Sequence, residues 1–464
     1  MKYKVLVNKE NKIKDNFLSK IELITTKDVD GEEIQVEKET YNAYLELKKF
    51  LETKNVIIGI SSAYRSKDYQ QEIYESFIEK YGKDYADKVV APVGCSEHHT
   101  GLALDINIMK DGKWPESNSE LMEDEESYKA IHQYLANYGF ILRYPEGKEI
   151  VTGYPYEPWH IRYVGNPVAK IITKNNYTLE EYLNNYSGVI ILNKKKNITS
   201  FDVVNEISRT LGIKRIGHTG TLDPLAEGVL VITIGQATKI AELLTATYKE
   251  YKAGVILGIE TDTLDITGKI IDSKYVPEGL DIESVLASYE KTYEQEVPIY
   301  SAVKVNGKKL YEYARNNEEI NLPKKEVTIK EIELLSTDID TFIFRAVVSK
   351  GCYIRSLIRD IGRTLDTYAT MTNLTRTKQG KFTIEEACDL EDIKNNNFNL
   401  LAIEDVLDYP IINVSSDLAF KIKNGCKLEN TYNISSKVLF MYENKLLGIY
   451  QNENNELKVW KNFH

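Results

Sequence analysis

A chain of 464 residues is too long for one ordinary hydrophobic core, so two or three domains are expected. Hydrophobic residues make up 42% and charged residues 28% of the chain, and no stretch has the length of a transmembrane helix. The N-terminal sequence MKYKVLVNKENKIKDNF also lacks the apolar segment of a signal peptide, so we expect a cytoplasmic protein with no membrane segment. The net charge of −11 disfavours general nucleic-acid binding, and any RNA contact has to come from local basic clusters.

The four cysteines are scattered along the sequence without CxxC spacing: Cys95, Cys352, Cys388 and Cys426. This distribution argues against a disulfide framework and against a thiolate zinc site. We therefore expect reduced thiols.

The first part of the chain mixes helical and strand patterns. Residues 40–53 and 68–81 have apolar positions at helical spacing, and residues 56–60 read as a short buried strand. That strand leads into the sequence SSAYRS at residues 61–66.

Two later motifs predict a metal site. SEHHTGLALD spans residues 96–105, and EPWH spans residues 157–160. Two imidazoles and a carboxylate can fill three positions of a tetrahedral zinc site and leave the fourth for water, as catalytic zinc sites do. Glu157, near His160 in sequence, is a candidate base for that water.

These motifs resemble the zinc D-alanyl-D-alanine carboxypeptidases of the VanY type, peptidase family M15, over essentially residues 1–186. The resemblance implies zinc held by His98, Asp105 and His160, with Glu157 as catalytic base. It implies further that Arg65 polarises the scissile carbonyl or binds substrate and that Ser96 supports substrate binding, whereas His99 receives no role. The implied substrate is a D-Ala-D-Ala-terminated peptide, or the free dipeptide in the cytosol.

A new unit is predicted to begin at Gly188. Residues 175–183 read as a terminal helix with Thr178 as its N-cap, and an apolar strand follows at residues 189–192. No linker rich in Gly, Ser or Pro separates the two.

The sequence HTGTLDPLAEG, residues 218–228, is predicted to lie on a loop between a helix and a buried strand. Ser200 is predicted to cap a helix that stops near Gly212, and residues 229–234 form a β-branched strand. Loops of this kind often carry reactive groups, so Asp223 is a candidate catalytic carboxylate. An Asp before Pro is also a common turn former, and local chemistry alone leaves both interpretations open.

From Gly188 onward the chain resembles the bacterial tRNA pseudouridine-55 synthases, the TruB family. Matching stretches are ILNK at 191–194, TSFD at 199–202, GHTGTLDPLAEG at 217–228, ATK at 237–239, KEY at 249–251, TDTLD at 261–265, PIYSAVK at 298–304, GCYIRSL at 351–357 and LTR at 374–376. The resemblance implies isomerisation of a uridine in the tRNA T-loop, with no cofactor or metal for this domain.

The same resemblance implies roles for individual residues. Asp223 attacks the nucleoside, Arg355 pairs with Asp223, and Tyr251 stacks on the uracil. A base that flips out of the tRNA T-loop leaves a gap there, which His218 would fill. Tyr353 and Leu374 would line the pocket that receives the flipped base. Lys194 and Lys239 are candidate RNA contacts within the matching motifs.

Phosphate contacts are expected from basic clusters. The candidates are Lys194 to Lys196, Lys214 with Arg215, Lys304 with Lys308 and Lys309, and Arg376 with Lys378 and Lys381. Such runs are also typical of solvated surfaces.

The expected fold is α+β in three parts. They are an M15-type zinc-peptidase domain at residues 1–186, a pseudouridine synthase domain with a mixed or antiparallel sheet at 188–400, and a small PUA-like RNA-binding β-barrel at 410–464. Two alternatives stay open: the first domain is an inactive zinc-binding or docking module, or the chain binds RNA without chemistry.

Overall fold

The computed structural model describes residues 2–115 and 118–463, without the side chains of residues 118 and 119. The chain forms two compact units. The first comprises Met1–Tyr186, Glu206–Lys214 and Glu391–Asn397, and the second comprises Ser187–Asn205, Arg215–Leu390 and Phe398–His464. No helix in the described ranges is long and apolar enough to span a bilayer. The four cysteines all lie within the described ranges, and none of them forms a disulfide.

The first unit contains a hairpin and a four-stranded antiparallel sheet. The hairpin consists of β1 (Leu23–Lys27) and β2 (Glu33–Glu37), and the sheet of β3 (Ile58–Ser62), β4 (Ala103–Ile108), β5 (Phe140–Leu142) and β6 (His160–Tyr163). The strand order in the sheet is β3-β4-β6-β5. Strand β4 pairs with β6 so that Asp105 lies directly opposite His160. This register brings together two residues that are 55 positions apart in sequence.

Helices occur between and after these strands. They are α1 (Lys38–Glu52), α2 (Lys67–Tyr81), α3 (Lys83–Val89), α4 (Asn118–Glu123), α5 (Glu125–Leu135), α6 (Glu149–Thr152), α7 (Val168–Lys174) and α8 (Leu179–Asn185). The predicted helices at 40–53 and 68–81 are confirmed as α1 and α2, and the predicted strand at 56–60 forms two residues later as β3. Apolar side chains of α1 and α5 pack with those of β3 and β4 into one core. Thr178 caps α8 in a capping box with Glu181, which confirms the predicted N-cap.

The second half of the chain is rich in strands. They are β7 (Gly188–Lys194), β8 (Ile216–His218), β9 (Glu227–Ile234), β10 (Lys249–Leu257), β11 (Ile259–Thr261), β12 (Ile270–Ser273), β13 (Thr292–Glu296), β14 (Lys304–Val305), β15 (Lys308–Lys309), β16 (Lys324–Thr337), β17 (Thr341–Val348), β18 (Ala369–Gln379), β19 (Phe382–Thr383), β20 (Ile411–Asn413), β21 (Leu428–Glu429), β22 (Lys437–Tyr442), β23 (Lys445–Glu453) and β24 (Glu456–Asn462). The helices are α9 (Ser200–Leu211), α10 (Ala241–Thr245), α11 (Ile282–Ala287), α12 (Leu310–Arg315), α13 (Ile354–Thr364), α14 (Leu390–Lys394), α15 (Ile403–Val406) and α16 (Ser416–Lys423).

A mixed nine-stranded sheet organises the second unit. Its main path is β13-β16-β17-β10-β18-β9-β7, with β19 on β18 and β8 on β9. The β9/β18 pair is parallel and its neighbours pair antiparallel, so the sheet is mixed, which is one of the two arrangements predicted. The helix predicted to follow Ser200 and to stop near Gly212 is confirmed as α9, although Ser200 is its first residue and not its cap.

A close backbone approach fixes the β9/β18 pair. Gly228 has φ +101°, and a Cβ at this position would lie 2.2 Å from the main-chain oxygen of Arg376. Only glycine fits such a position without moving a strand. The sequence motif therefore ends on a glycine that the sheet requires.

The C-terminal strands form a separate five-stranded sheet in the order β20-β22-β23-β24-β21. Its apolar core includes Val438, Phe440, Leu447 and Tyr450 together with Ile422 of α16. These strands lie within residues 410–464, for which the sequence predicts a small β-barrel.

Candidate active sites

The three predicted zinc ligands of the first unit lie together. Each of His98, Asp105 and His160 offers one donor atom, and these atoms lie within 4.8 Å of one another. The Nε2 atom of His98 is 3.2 Å from one oxygen of Asp105, and the Nδ1 atom of His160 is 2.9 Å from the other. Such a set of two imidazoles and one carboxylate matches the donors that zinc takes in catalytic sites.

The orientation of His98 suits metal binding. Its Nδ1 atom lies 2.6 Å from the carbonyl oxygen of Ala63, which places the ring proton on Nδ1 and turns the Nε2 lone pair toward Asp105. Burial and the nearby Arg65 lower the pKa of His98 to about 4, so the ring is neutral at physiological pH. Burial opposes ionisation of Asp105, yet the two imidazoles outweigh it and hold the pKa of Asp105 well below its usual value.

Buried polar atoms of the cluster also lack hydrogen bonds. Among the described residues, neither Oδ1 of Asp105 nor Nε2 of His160 has a hydrogen-bond partner. Unsatisfied polar atoms of this kind are costly, and a cation bound between the three side chains would remove part of that cost at Asp105. The residues present therefore fit a zinc ion.

Glu157 stands beside the cluster as a separate carboxylate. Its Oε2 atom is 3.6 Å from Nδ1 of His160, and its main-chain oxygen accepts the N–H of His160. Burial raises the pKa of Glu157 to about 7, against the lowering effect of His160. A carboxylate with a pKa near neutrality is suited to taking and returning a proton.

Arg65 reaches the cluster from the loop after β3. Its Nη2 atom donates to Asp105 across 2.8 Å, and its Nε atom donates to Ser62. His99, which the sequence left without a role, holds this segment: its Nδ1 atom lies 2.8 Å from the carbonyl oxygen of Arg65, and its Nε2 atom accepts the N–H of Gly94.

A cavity of about 370 Å³ opens onto these groups. Its lining includes Ser96, for which the sequence predicts a role in substrate binding, and also Gln70 of α2. Gln70 is almost completely buried, donates to the carbonyl of Ala91, and keeps its Oε1 atom free of hydrogen bonds from the described residues. Gln70 was not among the predicted site residues, because a glutamine on a polar helix carries no sequence signal of its own.

The sequence analysis also missed a buried charge cluster behind His160. Glu97 contacts Arg143 and Arg162, and Arg143 is held a second time by Glu180. Burial opposes ionisation of Glu97, but both arginines lower its pKa below the usual value. Since this cluster is assembled from four separate segments, no local pattern could indicate it.

In the second unit, Asp223 and Arg355 form an ion pair. The Nη2 atom of Arg355 lies 2.7 Å from Oδ2 of Asp223, with the arginine buried and the aspartate half-buried. Arg355 also donates to the main-chain oxygens of Thr263 and Tyr300. Three acceptors from three segments thus fix the guanidinium that faces Asp223.

The loop that carries Asp223 is held by Ser200. This buried serine donates through Oγ to the carbonyl of Leu222 at 3.1 Å and accepts the N–H of Leu222 at 3.0 Å. The prediction that Ser200 caps α9 was wrong. Thr199 takes that place, exchanging hydrogen bonds with Asp202, because the side chain of Ser200 is directed at the loop.

The other residues predicted for this site lie on separate elements of the second unit. Tyr251 lies on the central strand β10, opposite Arg376 of β18, and Leu374 of β18 lies opposite Ala253. Burial raises the pKa of the Tyr353 phenol, and the Asp223 carboxylate adds to the increase. His218 is half-buried, its Nδ1 atom accepts the N–H of Gly220, and burial lowers its pKa.

Two of the predicted RNA contacts are engaged within the protein. The ammonium of Lys194 is buried and donates to the carbonyls of Lys195, Ile198 and Pro224. Burial lowers the pKa of Lys194 to about 8, against the effect of Asp223. Lys239 donates to the main-chain oxygen of Asn462.

Several members of the basic clusters are paired as well. The pairs are Lys195 with Asp389, Lys196 with Glu227, Lys308 with Glu318, and Lys381 with Asp408. Arg376 is buried and donates to the carbonyls of Gly220 and Val229. Lys214, Lys304 and Lys378 lie on the surface.

Different protein families match the two parts of the chain that contain the two sites. The TruB family pseudouridylate synthase N-terminal domain matches residues 208–354, and the tRNA pseudouridylate synthase B C-terminal domain matches residues 355–412. The D-alanyl-D-alanine carboxypeptidase family VanY matches residues 33–166.

Individual relatives agree with these matches. The tRNA pseudouridine synthase B of Caldanaerobacter subterraneus subsp. tengcongensis is 40% identical over 260 residues, covering 55% of this chain and 91% of the relative. The enzyme of the same name from Bacillus licheniformis is 45% identical over 259 residues, covering 53% of this chain and 84% of the relative. A solved structure of the vancomycin-resistance D,D-pentapeptidase VanY with Zn(II) is 32% identical, with a TM-score of 0.34, and covers 40% of this chain and all of that one. The chain therefore belongs to the TruB family of tRNA pseudouridine synthases and carries a VanY-type peptidase domain fused in front of it.

Proposed function

We propose that the second unit converts uridine 55 in the T-loop of tRNA to pseudouridine, with Asp223 as the attacking carboxylate. The observation that carries this proposal is the ion pair between Asp223 and the buried Arg355. A neighbouring cation keeps a carboxylate ionised and oriented, which a nucleophile needs. A half-buried carboxylate also stays accessible to a nucleoside.

The reaction breaks the N-glycosidic bond, turns the uracil, joins its C5 atom to the sugar and releases the C5 proton. In our proposal Tyr251 stacks on the uracil, while Tyr353 and Leu374 line its pocket. His218 fills the gap left by the flipped nucleotide, because a base within a folded loop has to leave its stack before it can react. We propose no cofactor for this site.

The test is pseudouridine formation in a tRNA transcript by the full-length protein, followed by mass spectrometry of the T-arm. Asp223→Asn should abolish product while tRNA binding persists, and a transcript with cytidine at position 55 controls for the site. Substantial turnover by Asp223→Asn would refute the assignment. Pseudouridine formed at another uridine instead would refute the assignment of uridine 55 as the target.

We propose further that the first unit is a zinc peptidase acting on D-Ala-D-Ala, either as the end of a peptide or as the free dipeptide. His98, Asp105 and His160 would hold the ion. Zinc, when bound, supplies Lewis acidity that lowers the pKa of water and polarises a carbonyl. The cluster geometry and the matched carboxypeptidase family support this proposal.

In this proposal protein side chains transfer the proton and bind the substrate. Glu157, with its pKa raised to about 7 by burial, takes the proton of the attacking water and returns it to the leaving amine. Arg65 holds the scissile carbonyl or the substrate carboxylate, and Ser96 lies in the same cavity to support binding.

A second candidate is that this unit only binds zinc or a partner and performs no reaction. The presence of Glu157 and Arg65 beside the ligands favours an enzyme, since a structural zinc site needs neither. Release of D-alanine from D-Ala-D-Ala and from a pentapeptide by the zinc-loaded protein, with Glu157→Ala as control, decides between the two. Turnover that disappears in the control establishes a peptidase, whereas no turnover with bound zinc establishes a binding module.

We propose the domain limits 1–186, 188–400 and 410–464. The five-stranded C-terminal sheet supports a PUA-like domain that helps to bind the tRNA. Because tRNA is the proposed substrate, we propose the cytoplasm as the site of action.

A further inference from the structure

A buried carboxylate, Glu97, lies behind the proposed metal site. Its Oε1 atom is 2.9 Å from Nε of Arg143 and 2.6 Å from Nη1 of Arg162. Both arginines and Glu97 are essentially inaccessible to solvent. Two guanidinium groups thus fix one oxygen of this carboxylate in a single position.

The other oxygen of Glu97 is directed at His160. Oε2 lies 4.0 Å from Nε2 of His160, and neither atom has a hydrogen-bond partner among the described residues. A distance of 4.0 Å is longer than a hydrogen bond. Two facing, buried and unsatisfied polar atoms nevertheless cost free energy unless a further event brings them together.

The imidazole of His160 can offer only one nitrogen to the metal site. Its Nδ1 atom faces Asp105 at 2.9 Å, and the ring of Tyr144 packs against it with centroids 4.8 Å apart. If Nδ1 binds a cation, the ring proton has to be on Nε2, because a neutral imidazole carries one N–H. That N–H then points at Glu97.

We propose that Glu97 is a positioning residue. Its Oε2 atom accepts a hydrogen bond from the Nε2–H group of His160 when Nδ1 of His160 binds the metal ion. A shift of roughly 1 Å would bring the two atoms to hydrogen-bond distance. The carboxylate then fixes the tautomer and the orientation of the imidazole and strengthens it as a ligand. This inference rests on the proposed zinc site.

A purely structural role for Glu97 makes a different prediction. Glu97 would then matter only as a partner of the arginines, as Glu180 does. Glu180 accepts from Arg143 at 2.6 and 2.9 Å and from Asn8 at 3.0 Å, and within the described ranges it forms no hydrogen bond or ion pair with His160. Glu180→Gln is therefore a matched control that disturbs the same charge cluster without reaching the imidazole.

The experiment measures zinc affinity of the full-length protein by competition with a chromophoric chelator, and the visible spectrum of the cobalt-substituted protein. We expect Glu97→Gln to weaken zinc binding about 10- to 100-fold and to change the cobalt spectrum. Glu180→Gln should lower the melting temperature but keep affinity within about twofold of wild type, since the ligand shell is untouched.

Glu97→Asp covers the case in which Glu97→Gln fails to fold. It keeps the charge for both arginines but draws the carboxylate back by one methylene, so zinc affinity should still fall. Wild-type affinity in the folded Glu97 variants, or an equal loss in Glu180→Gln, would overturn the inference and leave the zinc site intact. Absence of zinc binding by the wild type would overturn the zinc site itself, and the inference with it.

Discussion

The Nη2 atom of Arg355 lies 2.7 Å from Oδ2 of Asp223, while the same guanidinium donates to the main-chain oxygens of Thr263 and Tyr300. The planar guanidinium satisfies all three acceptors at once. A lysine ammonium has the charge but not this geometry. The position of the half-buried carboxylate therefore depends on the shape of its partner as well as on its charge.

Arg355→Lys should lower kcat for pseudouridine formation by about 100-fold, because misplacement of a reacting group by roughly 1 Å costs about that much. The affinity for tRNA should change little, since Arg355 is buried and paired with Asp223. Single-turnover kinetics with saturating enzyme check this. A wild-type kcat in Arg355→Lys would show that a positive charge at position 355 is sufficient to hold the Asp223 carboxylate in place.

Motifs of closely spaced residues predicted that the metal-cluster residues lie together and that Asp223 lies on a loop before a strand. The bounds of that loop were wrong, because His218 belongs to β8, which lies between α9 and the loop, and Glu227 already belongs to β9. His98 and Asp105 lie on the turn and strand that their own sequence specifies, and β-sheet register then places His160 opposite Asp105. The cap of α9 was misassigned because Thr199 and Ser200 are chemically equivalent in sequence. Only the tertiary fold shows that Ser200 bonds to Leu222.

Ser200→Ala should reduce kcat about tenfold and leave the affinity for tRNA nearly unchanged. The change removes both hydrogen bonds to Leu222, so the loop before Asp223 gains freedom and the carboxylate is less often in place. Kinetics on a T-arm substrate measure the effect. Ser208→Ala is the control, because Ser208 lies on the same helix and donates only to Ile213. Equal losses in the two variants would indicate a general loss of stability.

Gly228→Ala should lower the free energy of unfolding by about 3 kcal/mol or more, since both backbone strain and a clash oppose the new methyl group. The Cβ would lie 2.2 Å from the carbonyl oxygen of Arg376 at a φ of +101°. Chemical denaturation of the full-length protein measures the change. Gly217→Ala serves as control, because its Cβ would meet only Thr233 at 3.4 Å. Unchanged stability in Gly228→Ala would contradict the close approach of the two strands.

Removal of metal should separate the two proposed activities. A chelator should abolish release of D-alanine, because His98, Asp105 and His160 supply the metal site, whereas pseudouridine formation should continue at the wild-type rate. Both assays are performed on the same protein sample, and added zinc should restore peptidase activity. D-alanine release that survives complete chelation would exclude a metal-dependent peptidase. Loss of pseudouridine formation on chelation would contradict a metal-free synthase.

Charged residues in the interior were the hardest to predict. Glu97 and Lys194 both occur in polar runs that resemble solvated surface, yet both are buried. The partners of Glu97 lie 46 and 65 residues away, at Arg143 and Arg162. Those of Lys194 are main-chain oxygens, which leave no trace in a sequence.

Lys194→Met should therefore lower kcat but leave the salt dependence of tRNA affinity unchanged. Its ammonium holds the carbonyls of Ile198 and Pro224, the latter directly after Asp223, so its loss should lower kcat and stability. A lysine that contacts a phosphate would, when removed, reduce the slope of log affinity against log salt by about one. We expect Lys194→Met to leave that slope unchanged in tRNA titrations between low and moderate salt. Lys195→Gln, which neutralises an exposed neighbour, is the comparison, and a reduced slope in Lys194→Met would show that Lys194 leaves the interior to contact tRNA.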